Sequence, residues 1–180
     1  MEGVPFGPRA GGTIPPMTVA SKPASAATPA VRVLNLAGID YSLHSFDHDP
    51  ATRRYGSEAA DKLGVGSDQV FKTLMTLVDG APACVVVPSD REVGMKKLAA
   101  VFAGKSAQMM KPADAERLTG FKVGGVSPFG QRKPVRTALD ETAILFDRIL
   151  INAGQRGLLL EIAPEDARRA TGAVLADLTA

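Results

Sequence analysis

The chain has 180 residues, of which 45% are hydrophobic, and its 21 Lys and Arg against 19 Asp and Glu leave a formal net charge of +2. This length suits one domain with its own core, and the apolar content excludes a chain that is disordered throughout. The near balance of charges gives no argument by itself for a nucleic-acid partner, and no apolar run approaches the roughly 18 to 20 residues that span a membrane.

Residues 1–27 are crowded with Gly, Pro, Ala and Ser and follow neither a helical nor a strand period. Such a segment has too little apolar area to offset the entropy of ordering it, so we expect a flexible tail before one domain at residues 28–180. Met17 is a second candidate for the natural start, besides Met1. The chain shows no secretory signal pattern, and its only cysteine, Cys84, can form no internal disulfide, so we expect a cytoplasmic protein.

The first predicted element is a helix that begins at Thr28-Pro29, because threonine is a good N-cap and proline suits the first helical position. It should end before Gly38. The alternating residues 41–46 predict a strand, and residues 57–63 predict a second helix that a glycine stops.

The clearest signal in the chain is a hairpin. Apolar and β-branched residues at 70–78 and at 83–87 surround the turn Asp79-Gly80. Further helices are predicted from about Gly94 to Phe102 and from Pro112 onward, the latter with acidic residues in its first turns.

The stretch 123–136 that follows is irregular, and loops of this length tend to be functional or mobile. Strands are predicted at 144–151 and 158–162, around a turn at 152–154, and a last helix begins near Pro164. Helices and hairpin-linked strands alternate without a strict strand-helix-strand rhythm. We therefore expect an α+β domain with a mixed sheet rather than a doubly wound parallel sheet.

Lys72 is the most informative single residue, because it places an ammonium group in a mostly apolar strand. A charge there is costly unless it is paired or can reach solvent or a ligand. Taken alone, Lys72 fits an edge-strand lysine that extends to water somewhat better than a pocket lysine that binds a phosphate or carboxylate. Both interpretations stay open at this point.

The glycine-rich segment 124–130 (GGVSPFG) is the second candidate. Glycines let a ligand approach the main chain, and consecutive free N–H groups can hold a phosphate or a developing oxyanion. Seen alone, an ordinary surface turn is the better interpretation. Four basic residues around the segment form the kind of cluster that a phosphate backbone needs: Lys122, Arg132, Lys133 and Arg136.

His44 and His48, with aspartates beside them, raise the question of a metal site. Along a strand the two histidines would lie about 13 Å apart, too far to share one ion, so we predict no metal and no other cofactor. Ser127 lacks the strand-to-helix elbow of a nucleophilic serine, and Cys84 has no obvious base nearby in sequence. A hydrolase with a side-chain nucleophile therefore finds little support.

Several segments together resemble the YbaK family, the proline-tRNA-synthetase-associated editing domain, and they come in the family's order. They are 28–30 (TPA), 44–50 (HSFDHDP), 55–60 (YGSEAA), 70–75 (VFKTLM), 96–97 (KK), 119–121 (TGF), 124–130 (GGVSPFG) and 153–158 (AGQRGL). The similarity extends over about residues 28–178. It implies an α/β domain around a mixed, partly barrel-like sheet flanked by helices, with the aminoacylated end of a tRNA in a pocket.

The resemblance also implies roles for individual residues. It assigns catalysis to Lys72, Gly124 and Gly125, with Lys72 at the phosphate or terminal ribose and the amides of 124–127 at the developing charge. Six further residues are implied to contact the substrate: Phe46, Tyr55, Ser127, Pro128, Arg156 and Leu159. In the best known members no side chain is a nucleophile or general base, and the thiol of a wrongly attached cysteine attacks its own ester.

We therefore predict a trans-editing aminoacyl-tRNA deacylase that releases a small amino acid from proline tRNA, cysteine first, with alanine and serine as alternatives. Phe46 stands where the cysteine-clearing members carry tyrosine, and Leu159 where some carry aspartate. Both changes make the pocket less polar, so water could replace the thiol as attacker. The small net charge predicts weak binding of free tRNA, which suggests prolyl-tRNA synthetase as a partner.

Two rival hypotheses remain at this stage. A module of the same fold could bind aminoacyl-tRNA or a synthetase without hydrolysing anything. A metal-dependent hydrolase would use His44, His48 and Asp49.

Overall fold

The computed structural model describes residues 28–180, and the tail predicted for residues 1–27 lies outside the described residues. The helices of this range are α1 (Pro29–Leu36), α2 (Tyr55–Leu63), α3 (Met95–Val101), α4 (Pro112–Thr119), α5 (Pro164–Thr171) and a 3-10 helix (Glu141–Leu145). Its strands are β1 (Tyr41–Ser45), β2 (Val70–Val78), β3 (Ala81–Pro88), β4 (Ala107–Met109), β5 (Arg136–Asp140), β6 (Ile149–Gln155), β7 (Leu158–Ile162) and β8 (Val174–Ala176).

Local signals start and stop the helices as predicted. The Thr28 hydroxyl accepts a hydrogen bond from the N–H of Val31 at 3.2 Å, which caps α1, and donates to the carbonyl of Ala153 at 2.6 Å. The same side chain therefore begins the helix and ties it to β6. Helix α2 ends at Gly64, which adopts the left-handed conformation with φ of +68° that a glycine tolerates best.

The strands form one curled, mixed sheet in the order β1-β7-β6-β2-β3-β5-β8, with β4 paired to β2. Neighbours β1/β7, β6/β7, β2/β3 and β2/β4 are antiparallel, whereas β2/β6, β3/β5 and β5/β8 are parallel. The α+β class and the mixed, partly barrel-like sheet expected from the sequence are confirmed.

Strand β2 is central, but one of its edges is interrupted. Along one edge it pairs with β3 from Phe71 to Val78. Along the other it pairs with β6 only at residues 70–71 and with β4 only at residues 76–78. Among the described residues, 72–75 thus have no partner strand on that edge, and this gap positions the candidate site.

The two faces of β2 enter different parts of the core. Phe71 and Met75 join the largest buried cluster, together with residues of α1, α4 and the loop 121–129. Val70 packs with α2, and Val78 belongs to a cluster that includes α3. Lys72 shares the face of Val70 and Val78, in agreement with the alternation read from the sequence.

The strand predicted at 144–151 is wrong in its first half. The Asp140 carboxylate accepts hydrogen bonds from the N–H groups of Thr142, at 3.1 Å, and Leu178, at 3.0 Å. This cap starts the 3-10 helix, which leaves Ile144 and Leu145 exposed, and β6 begins only at Ile149.

The turn predicted at 152–154 is part of β6 instead. The Asn152 side chain accepts hydrogen bonds from the N–H groups of Gly154 and Gln155, and the register with β7 shifts between Asn152 and Gln155. The chain reverses after this irregularity, at residues 156–157. Strands β4, β5 and β8 were not predicted, since each is short and depends on pairing with distant residues.

Candidate functional site

A cavity of about 760 Å³ opens beside the unpaired edge of β2. Ligand pockets commonly have this size. Its walls come from β2, the start of α2, the loop after β3, the start of α4 and the glycine-rich loop, and they include Arg53–Ser57, Val70–Met75, Ser89, Asp90, Glu92, Met109, Met110, Val123, Gly124 and Val126.

Lys72 lies in the wall of this cavity. Its side chain is 25% exposed, and its Nζ is 3.6 Å from Oε1 of Glu92, whose own side chain is 89% exposed. So loose and exposed an ion pair contributes little to stability. The ammonium group thus has the position that the pocket interpretation of the sequence requires.

Gly124 lies in the same cavity and packs against Tyr55. Its φ is +86°, and a β-carbon there would lie 2.7 Å from the Tyr55 ring. The Gly124 carbonyl accepts a hydrogen bond from the Asn152 side-chain amide at 3.2 Å. Only glycine meets both demands, so the loop can press against the tyrosine at this point.

Gly125 does not line the cavity. Its N–H donates to the Lys122 carbonyl at 2.8 Å, so this amide is already occupied. A β-carbon on Gly125 would lie 2.9 Å from the backbone nitrogen of Arg156. The residue therefore packs the loop against the β6–β7 connection and has no free N–H for an oxyanion.

Ser127 and Pro128 are also outside the cavity. Ser127 is fully buried; its hydroxyl oxygen accepts from the N–H of Phe129 at 3.3 Å and its carbonyl accepts from the Gln131 side chain at 3.0 Å. Pro128 lies beside a separate small cavity near Phe129. Both residues hold the shape of the glycine-rich loop.

Three of the residues implied to contact substrate, Phe46, Tyr55 and Leu159, line the cavity. Arg156 does not. Its Nε donates to the Val123 carbonyl at 2.8 Å, and its guanidinium lies 5.9 Å from the centre of the Tyr55 ring. Arg156 therefore contacts the loop and the tyrosine from outside the cavity.

His48 braces the tyrosine from another side. Its ring centre is 5.3 Å from that of Tyr55, and its Nδ1 is 2.8 Å from Oε2 of Glu58. Burial opposes ionisation of Glu58, but hydrogen bonds from Lys62, from the N–H of Asp49 and with His48 outweigh it and lower the pKa of Glu58 to about 2. The carboxylate is thus the fixed centre of this network.

The metal hypothesis gains no geometric support. His44 pairs with Glu161 on β7, with Nε2 and Oε2 2.7 Å apart, whereas His48 pairs with Glu58. Within residues 28–180, no group of three or more His, Cys, Asp or Glu side chains could hold a metal ion.

A side-chain nucleophile also finds no support. Cys84 is fully buried, and burial raises the pKa of its thiol to about 12, so the reactive thiolate does not form near neutral pH. In the part of the chain that the structure describes, no hydrogen bond joins a serine or cysteine side chain to a histidine.

Within residues 28–180, no helix has the length and apolarity needed to cross a membrane.

The basic cluster predicted around the glycine-rich loop is partly used within the protein. Arg136 stacks over the Phe102 ring at 4.7 Å and donates to the Val78 carbonyl at 3.2 Å, and Lys122 lies 3.7 Å from the Glu116 carboxylate.

Sequence reasoning overlooked Arg53 and Arg54, which do line the cavity. Two adjacent arginines directly before the YGSEAA segment were the available signal.

Thr73 was overlooked as well. It lines the cavity next to Lys72, and its hydroxyl oxygen is shielded from solvent without a hydrogen-bond partner. Buried polar groups without partners are rare in folded proteins.

The sequence of this chain is similar to those of known proteins. Residues 49–170 match the model of the aminoacyl-tRNA editing domain. The Enterococcus faecalis protein named "Putative Cys-tRNA(Pro)/Cys-tRNA(Cys) deacylase EbsC" is 32% identical over 166 residues, which are 89% of this chain and 98% of that protein. A proline–tRNA ligase of Nitratidesulfovibrio vulgaris is 36% identical over 73 residues, which are 41% of this chain but 13% of the ligase.

Solved structures share the fold. The "hypothetical protein APE2540" superposes with a TM-score of 0.77 at 25% identity and covers 85% of this chain and 100% of its own. A crystal structure titled "putative trans-editing enzyme for prolyl tRNA synthetase" has a TM-score of 0.74 at 24% identity and covers 87% of this chain and 98% of its own.

Proposed function

The chain belongs to the aminoacyl-tRNA editing domain family, as its motifs predicted, and from this membership we propose that it is a trans-editing aminoacyl-tRNA deacylase. It would release a wrongly attached small amino acid from proline tRNA in the cytoplasm. The observation that carries the proposal is that Lys72 and Gly124, distant in sequence, line one cavity of about 760 Å³.

The charge of the cavity supports binding of the 3′ end of a tRNA. Three cations, Lys72, Arg53 and Arg54, line the cavity with the first residues of α2, against two carboxylates, Asp90 and Glu92. The N-cap residue of this helix, Arg54, makes no capping hydrogen bond with its side chain, and the helix dipole favours an anion there. A terminal phosphate would therefore be attracted to this end of the cavity.

The reaction would need positioning more than side-chain chemistry. Attack by water on the ester carbonyl, or by the thiol when cysteine is attached, forms an oxyanion whose collapse breaks the ester bond and returns the tRNA hydroxyl. The N–H groups of Gly124 and Val126 are bonded to no acceptor among the described residues, whereas that of Gly125 is. We assign oxyanion stabilisation to Gly124 and Val126, in place of Gly125.

The likeness to part of a proline–tRNA ligase supports proline tRNA as the substrate and prolyl-tRNA synthetase as a partner. The decisive experiment is a deacylation assay with purified proline tRNA charged with cysteine, alanine or serine. We expect release of at least one amino acid well above the uncatalysed rate. A gel shift without loss of the ester would instead identify the non-catalytic binding module.

A further inference from the structure

Two successive peptide groups of the glycine-rich loop are held by side chains of the segment 152–156. The Nε of Arg156 donates to the carbonyl of Val123 at 2.8 Å, and the side-chain amide of Asn152 donates to the carbonyl of Gly124 at 3.2 Å. The guanidinium of Arg156 also lies 5.9 Å from the centre of the Tyr55 ring. Both peptide planes are therefore anchored to one segment of the sheet.

The contact with Arg156 determines the direction of the Gly124 N–H. Val123 and Gly124 line the cavity whereas Arg156 does not, so the Val123 carbonyl is turned away from the cavity. The peptide bond between Val123 and Gly124 is trans, and in a trans peptide the N–H points opposite to the C=O. The N–H of Gly124, which is bonded to no acceptor among the described residues, is thus directed to the cavity side.

The glycine at position 124 makes this anchor necessary. A residue without a β-carbon leaves the adjoining peptide plane freer to turn. A turn of the Val123–Gly124 plane would bring the carbonyl oxygen to the place of the N–H, and this oxygen would repel a developing oxyanion. Hydrogen-bond donors stabilise a transition state best when their direction is fixed before the charge develops.

We propose that Arg156 is a positioning residue, which holds the Val123–Gly124 peptide plane so that the Gly124 N–H donates to the oxyanion of the ester under attack. The inference rests on the deacylase function proposed above. It differs from the direct substrate contact that the resemblance implied for Arg156, because the side chain acts through the loop. The N–H bonds to the oxyanion only in the transition state, so the effect of Arg156 belongs in kcat rather than in KM.

The test compares two variants that both lack the guanidinium charge. In Arg156→Gln, the side-chain amide nitrogen is as many bonds from the main chain as the arginine Nε and can still donate to the Val123 carbonyl. In Arg156→Met, a methyl group takes this place and cannot donate.

Both constants, kcat and KM, are measured on proline tRNA charged with the amino acid that the wild-type protein releases fastest. In Arg156→Met we expect kcat to fall roughly tenfold or more with KM unchanged, because a small misplacement of a group at the reacting centre costs this much. Arg156→Gln should retain most of the wild-type kcat. Arg132→Met, which removes the same charge at an exposed position outside the cavity wall, should keep both constants.

Equal losses in Arg156→Gln and Arg156→Met, in kcat or in KM, would overturn the positioning role and assign the guanidinium to the tRNA itself. An unchanged kcat in Arg156→Met would also overturn it, and both results would leave the deacylase function standing. A wild-type protein inactive on every substrate would instead overturn the proposed function. Urea unfolding checks that each variant folds, and Arg156→Ala provides the same comparison should methionine not be accommodated.

Discussion

Gly124 and Tyr55 pack so closely that a single added methyl group would overlap the tyrosine ring, since a β-carbon on Gly124 would lie 2.7 Å from two of the ring atoms. Gly124 has a φ of +86°, and the tyrosine is further held by His48 and Arg156. The ring cannot withdraw easily, so this contact fixes the loop at the cavity wall.

Gly124→Ala should therefore lower kcat/KM for deacylation by roughly tenfold or more, because the loop or the tyrosine must shift by about an ångström. Left-handed backbone in alanine adds a cost of roughly 1–2 kcal/mol to folding. Gly80→Ala is the matched control: its φ is +80°, but apart from its two chain neighbours no atom of the described residues lies within 4 Å of the added carbon. Similar activity losses in both variants would contradict a specific role for the Gly124–Tyr55 contact.

Lys72→Ala should reduce deacylation roughly a hundredfold or more, because Lys72 positions the terminal phosphate and a shift of about 1 Å at the reacting group can cost that much. Within residues 28–180 its only ion pair is the loose contact with the exposed Glu92, so the urea unfolding curve should barely change. Lys105→Ala, an exposed lysine that does not line the cavity, serves as the control. A fully active Lys72→Ala protein would refute the assignment.

Glu58→Gln should destabilise the protein at pH 7 by about 1–3 kcal/mol, because the carboxylate accepts bonds from three groups. Folding lowers the pKa of Glu58 from 4.5 to about 2. The stabilisation is therefore fully present above about pH 4.5 and is lost as the pH falls towards 2.

Urea unfolding of wild type and Glu58→Gln at several pH values measures this difference, which should shrink below pH 4.5. Glu92→Gln, at an 89% exposed position, should show little change at any pH. A difference between wild type and Glu58→Gln that stays constant down to pH 2.5 would argue against the network around His48.

Cys84 should not react with iodoacetamide in the native protein at pH 8, because burial raises the pKa of the thiol to about 12. Mass spectrometry should detect complete modification only after unfolding in urea. Rapid labelling of the folded protein would reopen the case for a cysteine nucleophile.

Much of the fold is readable from local signals. Thr28-Pro29 begins a helix through hydrogen bonds within its own first turn. The apolar runs on either side of Asp79-Gly80 form a hairpin through contacts close in sequence. The same local reasoning gave a wrong prediction for the segment 141–148. Its apolar residues Ile144 and Leu145 resemble a strand, but the Asp140 cap turns the chain into a helix and exposes them.

The sequence by itself determined the family, the mixed sheet and the prominence of Lys72 and Gly124, because these depend on ordered motifs and short-range patterns. Only the tertiary structure decided which neighbours of those two residues face the cavity. The N–H of Gly125 donates to the Lys122 carbonyl, whereas the Thr73 hydroxyl has no hydrogen-bond partner among the described residues. The reason is that β6 and β4 pair only with the two ends of β2. Pairing between strands that are distant in sequence cannot be read from the local residue pattern of each strand.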